Sequence, residues 1–277
     1  MTKQLKSVEL FLAIGLVTTM GASSGATVYH QSQDQESVST LETIKMASEQ
    51  GHGHSKQGGE AGEGGASSGD PDVDYMTALA LMQGHLIVAE ELIEAGEYDQ
   101  AEPHIGHPVE ELYGDVEEQL ADRNVPQFDT TLNELHDLVK FDPQSARLRT
   151  RFQTSVRAID GAMMAVPKDL RESPEFVLEV IGRVLETAAA EYEAAIANNR
   201  FVEIIEYQDS RGFVIYANEL YATIADTMKR SRPDDHQVIL ESLQELQTIW
   251  PSVNPPNTPL AEPSKVFSLV FLIGDHS

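Results

Sequence analysis

Residues Asp74 to Gly96 read DYMTALALMQGHLIVAEELIEAG. Met82, Leu86, Ala89 and Ile93 recur at helical spacing, and Gly96 supplies a C-terminal stop. The stretch predicts a helix from about Asp74 to Ala95 with one apolar stripe facing a core. The sequence differs in kind on its two sides. Upstream, residues 27–71 are dominated by Gln, Ser, Gly and Glu, and Gly51 to Asp70 is low in complexity. That composition cannot bury enough apolar surface to order itself, so it reads as a flexible linker with one short helix at Leu41 to Ala47. Downstream, helical periodicity continues as far as Trp250.

Six further segments carry it: about Glu97 to Arg123, broken near Pro103 to Pro108; Gln127 to Lys140; Gln144 to Val166; Pro174 to Asn198; Phe201 to Arg230; and Asp234 to Trp250. Alternating β-branched runs and Asn-Gly turns are nearly absent. The predicted fold is all-α: an antiparallel helical bundle of six to seven helices, residues 72–250, after a disordered N-terminal tether. Pro251, Pro255, Pro256, Pro259 and Pro263 then force an extended strap. The apolar end from Val266 to Leu272 is expected to form a short helix docked on the bundle, giving 251–277 as a separate segment.

Residues 1–26 read as a signal peptide. Lys3 and Lys6 are followed by an apolar run from Val8 to Met20 and by the small residues Ser24, Gly25 and Ala26. The run is shorter than the roughly 20 apolar residues of a membrane span, so the mature chain is expected in the periplasm or secreted, without stable membrane insertion. There is no cysteine. That excludes a lipoprotein anchor, disulfides, thiol catalysis, iron–sulfur clusters and thioether-linked haem, and any metal ligand must be nitrogen or oxygen. The formal charge of -26 repels phosphate backbones and attracts cations and basic proteins, so nucleic acid is not an expected partner.

Of 9 histidines, three fall close together at His85, His104 and His107. His85 lies three residues after Met82 and four before Ala89, on the buried stripe, where an imidazole needs partners for both nitrogens. A core histidine bonded to a carbonyl or a tyrosine satisfies that need as well as a metal does. His104 and His107 are three apart, with Glu110 and Glu111 following, and share a helix face if the break allows it. A second half of a site is offered by the Phe201 to Arg230 segment. Its apolar line runs back from Met228 through Ile224, Leu220, Ala217 and Phe213 to Asp209, Glu206 and Val202. Two acids on a core-facing line need a cation, an arginine or a shared proton, and Arg211 or the arginines at 147, 149, 151 and 157 could serve. Glu203, Tyr207 and Tyr216 are further oxygen donors. His136 reads as structural, and His52 and His54 as linker residues able to collect metal weakly.

The Glu-x-x-His pair of di-iron bundles occurs only at Glu49 to His52, in the linker. His-Glu-x-x-His, Gly-x-Ser-x-Gly, P-loop and dinucleotide fingerprints are absent. His107-Pro108-Val109-Glu110 is a His-x-x-Glu in an exported, all-helical chain, and in that it resembles the imelysin-like proteins, helical bundles of the bacterial periplasm linked to iron uptake. His107 and Glu110 match the His and Glu of their Gly-x-His-x-x-Glu motif. Ile105 stands where its glycine is expected, and Gly106 comes one place late. The resemblance implies an iron-associated role.

Together these readings give an exported cell-envelope protein that binds or hands on a transition metal rather than turning over a substrate; an enzyme using the buried acids ranks last, since no nucleophile or cofactor motif is recognisable. Iron is the first candidate, zinc or copper the others. The candidate ligands are His85, His104, His107, Glu110, Glu111, Glu206 and Asp209. The alternative is a non-metal acidic module that binds a basic envelope protein or peptide, with structural histidines.

Overall fold

A computed structural model describes residues 67–277. The expected signal segment at 1–26, the linker up to residue 66 and the histidines His52 and His54 lie outside the described residues. Within them the fold is all-α apart from one two-stranded hairpin.

Helix α1 (Pro71–Ala95) starts three residues before the expected Asp74. The Asp70 side chain accepts from the Asp72 and Val73 amides, and Pro71 takes the first position, where a missing N–H costs nothing. Its end is a Schellman turn: Gly96 sits at φ 78°, its N–H bonds Ile93 O, and Glu97 N–H bonds Leu92 O. The helix is buried nearly all round from Val73 to Leu92, rather than on a single stripe. It is long and apolar enough to cross a membrane, yet 78% of its most apolar window is covered by the bundle, as in a core helix.

The expected second helix is two: α2 (Tyr98–His107) and α3 (Tyr113–Asp122), joined through a π segment at Pro108–Leu112. No break occurs at either proline. Pro103 lies inside α2. At Pro108 the wider π turn takes up a ring that would collide with the carbonyl four residues back in an α-helix. Helices α4 (Asp129–Phe141) and α5 (Leu148–Met163) follow, α4 against α2 and α5 against α4 and α1. A four-residue helix, α6 (Lys168–Arg171), was not foreseen.

Helix α7 (Pro174–Ala194) is capped by Ser173 and stops four residues before the expected Asn198. There β1 (Ile196–Ala197) and β2 (Arg200–Phe201) pair antiparallel. Asn198 and Asn199, at φ 53° and 58°, supply the two positive φ angles that such a two-residue turn needs. The chain continues as α8 (Ile204–Ser231), α9 (Pro233–Gln247) and α10 (Pro263–Asp275). Each of α7 to α10 packs on the next, and α10 closes the ring on α7. Helix α1 lies along α7 and α8, which joins the first five helices to that ring.

The segment between α9 and α10 is held by side chains beneath it. Trp250 Nε1 donates to Ser210 Oγ at 2.7 Å, Tyr207 OH to Ser252 O at 2.9 Å and Tyr192 OH to Ala261 O at 2.8 Å. Helix α10 buries Val266, Leu269, Val270 and Ile273, while Phe267, Phe271 and Leu272 stay exposed.

Candidate metal centre

Helices α1 and α8 cross where glycine faces glycine. A Cβ on Gly212 would lie 2.2 Å from Gly84 O, and one on Gly84 would lie 2.5 Å from Phe213 Cδ1. Neither helix could approach so closely with a side chain there. The next residue of α1 is His85, and Asp209 sits three residues before Gly212 on α8, so the close crossing sets these two side chains against each other. Glu91 and Arg211 pin the same interface from outside: the Arg211 guanidinium meets both Glu91 carboxylate oxygens at 2.8 to 3.2 Å and also donates to Trp250 O.

Asp209 is fully buried and forms the hub of a cluster. His85 Nδ1 lies 2.7 Å from its Oδ1, His104 Nδ1 lies 2.6 Å from the same oxygen, and His107 Nδ1 lies 3.3 Å from Oδ2. The His85 and His107 rings meet edge to face at 5.3 Å, and His85 stands edge to face with Phe213 at 4.9 Å. The second nitrogen of His104, Nε2, lies 2.9 Å from Gln208 Oε1. Burial pushes the Asp209 carboxyl up, but the imidazoles of His85 and His104, with hydrogen bonds from His104 and His107, outweigh it and hold the group well below the usual carboxylate range. The acid therefore stays ionised in the interior, facing three imidazoles and no arginine.

Imidazole and carboxylate donors suit iron, zinc, copper or manganese. One donor atom from each of His85, His104 and Asp209 can be chosen so that all lie within 4.8 Å of one another. Two ligands each about 2.1 Å from a tetrahedral ion are about 3.4 Å apart. The His85 and His104 contacts with Asp209, at 2.7 and 2.6 Å, would need to open by about 0.7 to 0.8 Å, so the residues present fit a metal ion.

The structure thus gathers His85, His104, His107 and Asp209. Glu110 is exposed, and Glu111 and Glu206 are half-buried. The apolar line expected on α8 fails at its N-terminal end: Val202 precedes the helix and is exposed, and Leu220 is only half-buried. The π segment changes the helical register just after His107, so spacing along one regular helix no longer predicts where Glu110 and Glu111 point. Of the proposed arginine partners, Arg211 pairs with Glu91 and Arg151 with Glu134. Tyr207 OH bonds Ser252 O, and Tyr216 OH contacts Met163 Sδ at 3.2 Å. His136 bonds Glu102, which also holds Lys140. Gln208, unremarked in the sequence, is buried beside Asp209, and no spacing signal marks it.

Residues 167–276 match the family model described as the iron permease-associated 4-helix bundle domain. Curated proteins and solved structures give no match. The matched span contains the closed ring of α7 to α10, and it contributes Asp209 and Gln208 to the cluster; the histidines come from α1 and α2, ahead of it. The matching family differs from the imelysin-like proteins that His107 and Glu110 suggested. An iron-related helical protein is the reading common to both.

Proposed function

We propose that this chain binds a transition metal ion, iron first and zinc or copper as alternatives, at the junction between its N-terminal helices and its C-terminal four-helix ring. His85, His104 and Asp209 form the ligand core, and His107 is placed to complete it. One observation carries this reading: a fully buried carboxylate receives two imidazole nitrogens on one oxygen and faces a third across the other. A buried acid without a metal or another charge partner is costly, and three histidines from two helices converge on this one. The family match over 167–276 supports iron over other metals. The protein binds or hands on its metal rather than turning over a substrate, in the cell envelope to which its N-terminal segment would direct it. Exposed Glu110 and half-buried Glu206 are left outside the ligand set, and Glu111, four residues after His107, remains a candidate donor.

The test is metal analysis of untagged protein, followed by titration with ferrous and ferric iron, zinc and copper while thermal unfolding is monitored. About one ion per chain and a raised Tm support the reading. Protein that carries no metal and shows no shift with any of these ions sinks it.

A further inference from the structure

A chain of side-chain hydrogen bonds leads from the buried cluster to the surface. His104 Nε2 faces Gln208 Oε1 at 2.9 Å, Gln208 Nε2 donates to Gln100 Oε1 at 3.1 Å, and Gln100 Nε2 donates to Glu97 Oε2. The other Glu97 oxygen accepts from Asn254 Nδ2 at 3.3 Å, in the segment between α9 and α10. Each glutamine is half-amide donor and half-amide acceptor, so either end of such a chain can set its direction. Glu97 sets it here. An ionised carboxylate only accepts, so Gln100 must turn its NH2 toward Glu97 and its oxygen toward Gln208. Gln208 must then turn its NH2 toward Gln100 and its oxygen toward His104, which obliges His104 Nε2 to carry a hydrogen.

We infer that Glu97, Gln100 and Gln208 form a polar relay that fixes His104 with its hydrogen on Nε2 and so aims the Nδ1 lone pair at Asp209, making Nδ1 the metal-binding atom. This deepens the metal-binding reading and rests on it. The consequence is local and specific. A lone pair on Nδ1 and the Asp209 Oδ1 atom, 2.6 Å apart, are two acceptors in contact, stable only with a cation between them. A bound metal ion would supply that cation. A histidine ligand whose other nitrogen is held in this way keeps both its tautomer and its ring orientation. Gln208 and Gln100 are positioning residues, and Glu97 acts on the cluster without touching it.

The experiment uses the full chain with nitrogen-15 histidine and reads, by nuclear magnetic resonance, which His104 nitrogen bears hydrogen, in metal-free protein and after addition of zinc alone. In the wild type Nε2 carries hydrogen in both states, and zinc perturbs Nδ1. Glu97→Lys replaces an acceptor at the end of the relay with a donor, so both amides turn over, Gln208 presents its NH2 to His104, and Nε2 loses its hydrogen. Zinc affinity then falls about 10- to 100-fold, and the same fall is expected for Gln208→Leu. Glu97 lies at the helix start on the surface, so its variant keeps the test alive should Gln208→Leu fail to fold. An unprotonated Nε2 in the wild type overturns the relay. So does a Glu97→Lys protein, folded by circular dichroism, with Nε2 still protonated, or a folded Gln208→Leu that binds zinc within twofold of the wild type. If the wild type binds no zinc, iron or copper, the proposed function falls, while the metal-free spectrum still decides the relay.

Discussion

Gly212 faces Gly84 so closely that a single methyl group on Gly212 would fall 2.2 Å from the Gly84 carbonyl oxygen. Two helices distant in sequence are in backbone contact there, and the buried His/Asp cluster sits within one turn of the contact. Gly212→Ala therefore forces α1 and α8 apart. The expected cost is about 3 kcal/mol, at the upper end for overpacking, because the obstacle is backbone and cannot rotate away. Gly84→Ala meets the buried Phe213 ring at 2.5 Å and backbone only at 3.1 Å, and it gains helix propensity; about 2 kcal/mol is expected. Urea unfolding of the two metal-free variants checks the order. Equal costs would mean that the backbone contact does not set the helix spacing.

The proposed ligand core should be separable from the other candidate donors. His85→Gln, His104→Gln and Asp209→Asn should each weaken iron or zinc binding by roughly a hundredfold or more, since each removes a donor to the ion itself. Glu110→Gln and Glu206→Gln should stay within about twofold of the wild type. Titration calorimetry on folded variants distinguishes them, and a strong loss in Glu206→Gln would enlarge the site beyond the buried cluster.

Metal should leave in acid. Bound imidazoles must give up their protons, and an ordinary histidine takes one up near pH 6.5. Loaded protein dialysed stepwise is expected to hold its ion at pH 7.5 and to have lost it by about pH 5. Retention at pH 4 would point to carboxylate ligation without the histidines.

At the other end of the molecule, Asp235 ties the start of α9 to the end of α10. Its carboxylate meets His276 Nδ1 and Arg232 Nε, each at 2.8 Å. The hydrogen bond from His276, then that from Arg232, lower its pKa below the ordinary carboxylate value. A carboxyl group lowered in the folded state stabilises the fold above its unfolded value of about 3.9, and that contribution is lost as pH falls through the lower folded value. The side chain is only partly buried, so the effect is small. Asp235→Asn should lower Tm slightly near neutrality and flatten its fall below about pH 4. Parallel acid limbs for the two proteins would show that the tie contributes nothing.

Several features needed no tertiary information. Gly96 ended α1, Pro174 began α7, and the 3.6-residue rhythm around Phe213, Ala217, Ile224 and Met228 marked part of the buried face of α8. These are local properties: caps, missing N–H groups and side-chain period act within a turn or two of chain. The rhythm misplaced Val202, because the Asn198-Asn199 hairpin interrupts the helix before that residue, and it could not anticipate a π turn at Pro108.

The sequence by itself determined an all-α chain without cysteine, with imidazoles and a carboxylate on buried lines of different helices. Only the tertiary structure decided that His85 and Asp209, 124 positions apart, share a hydrogen bond, that His107 joins them while Glu110 is exposed, and that Gln208 Oε1 lies against His104 Nε2. The physical reason is that helical period fixes which way a side chain faces but not which helix it faces. That choice falls to packing, here to two glycines that let α1 and α8 touch.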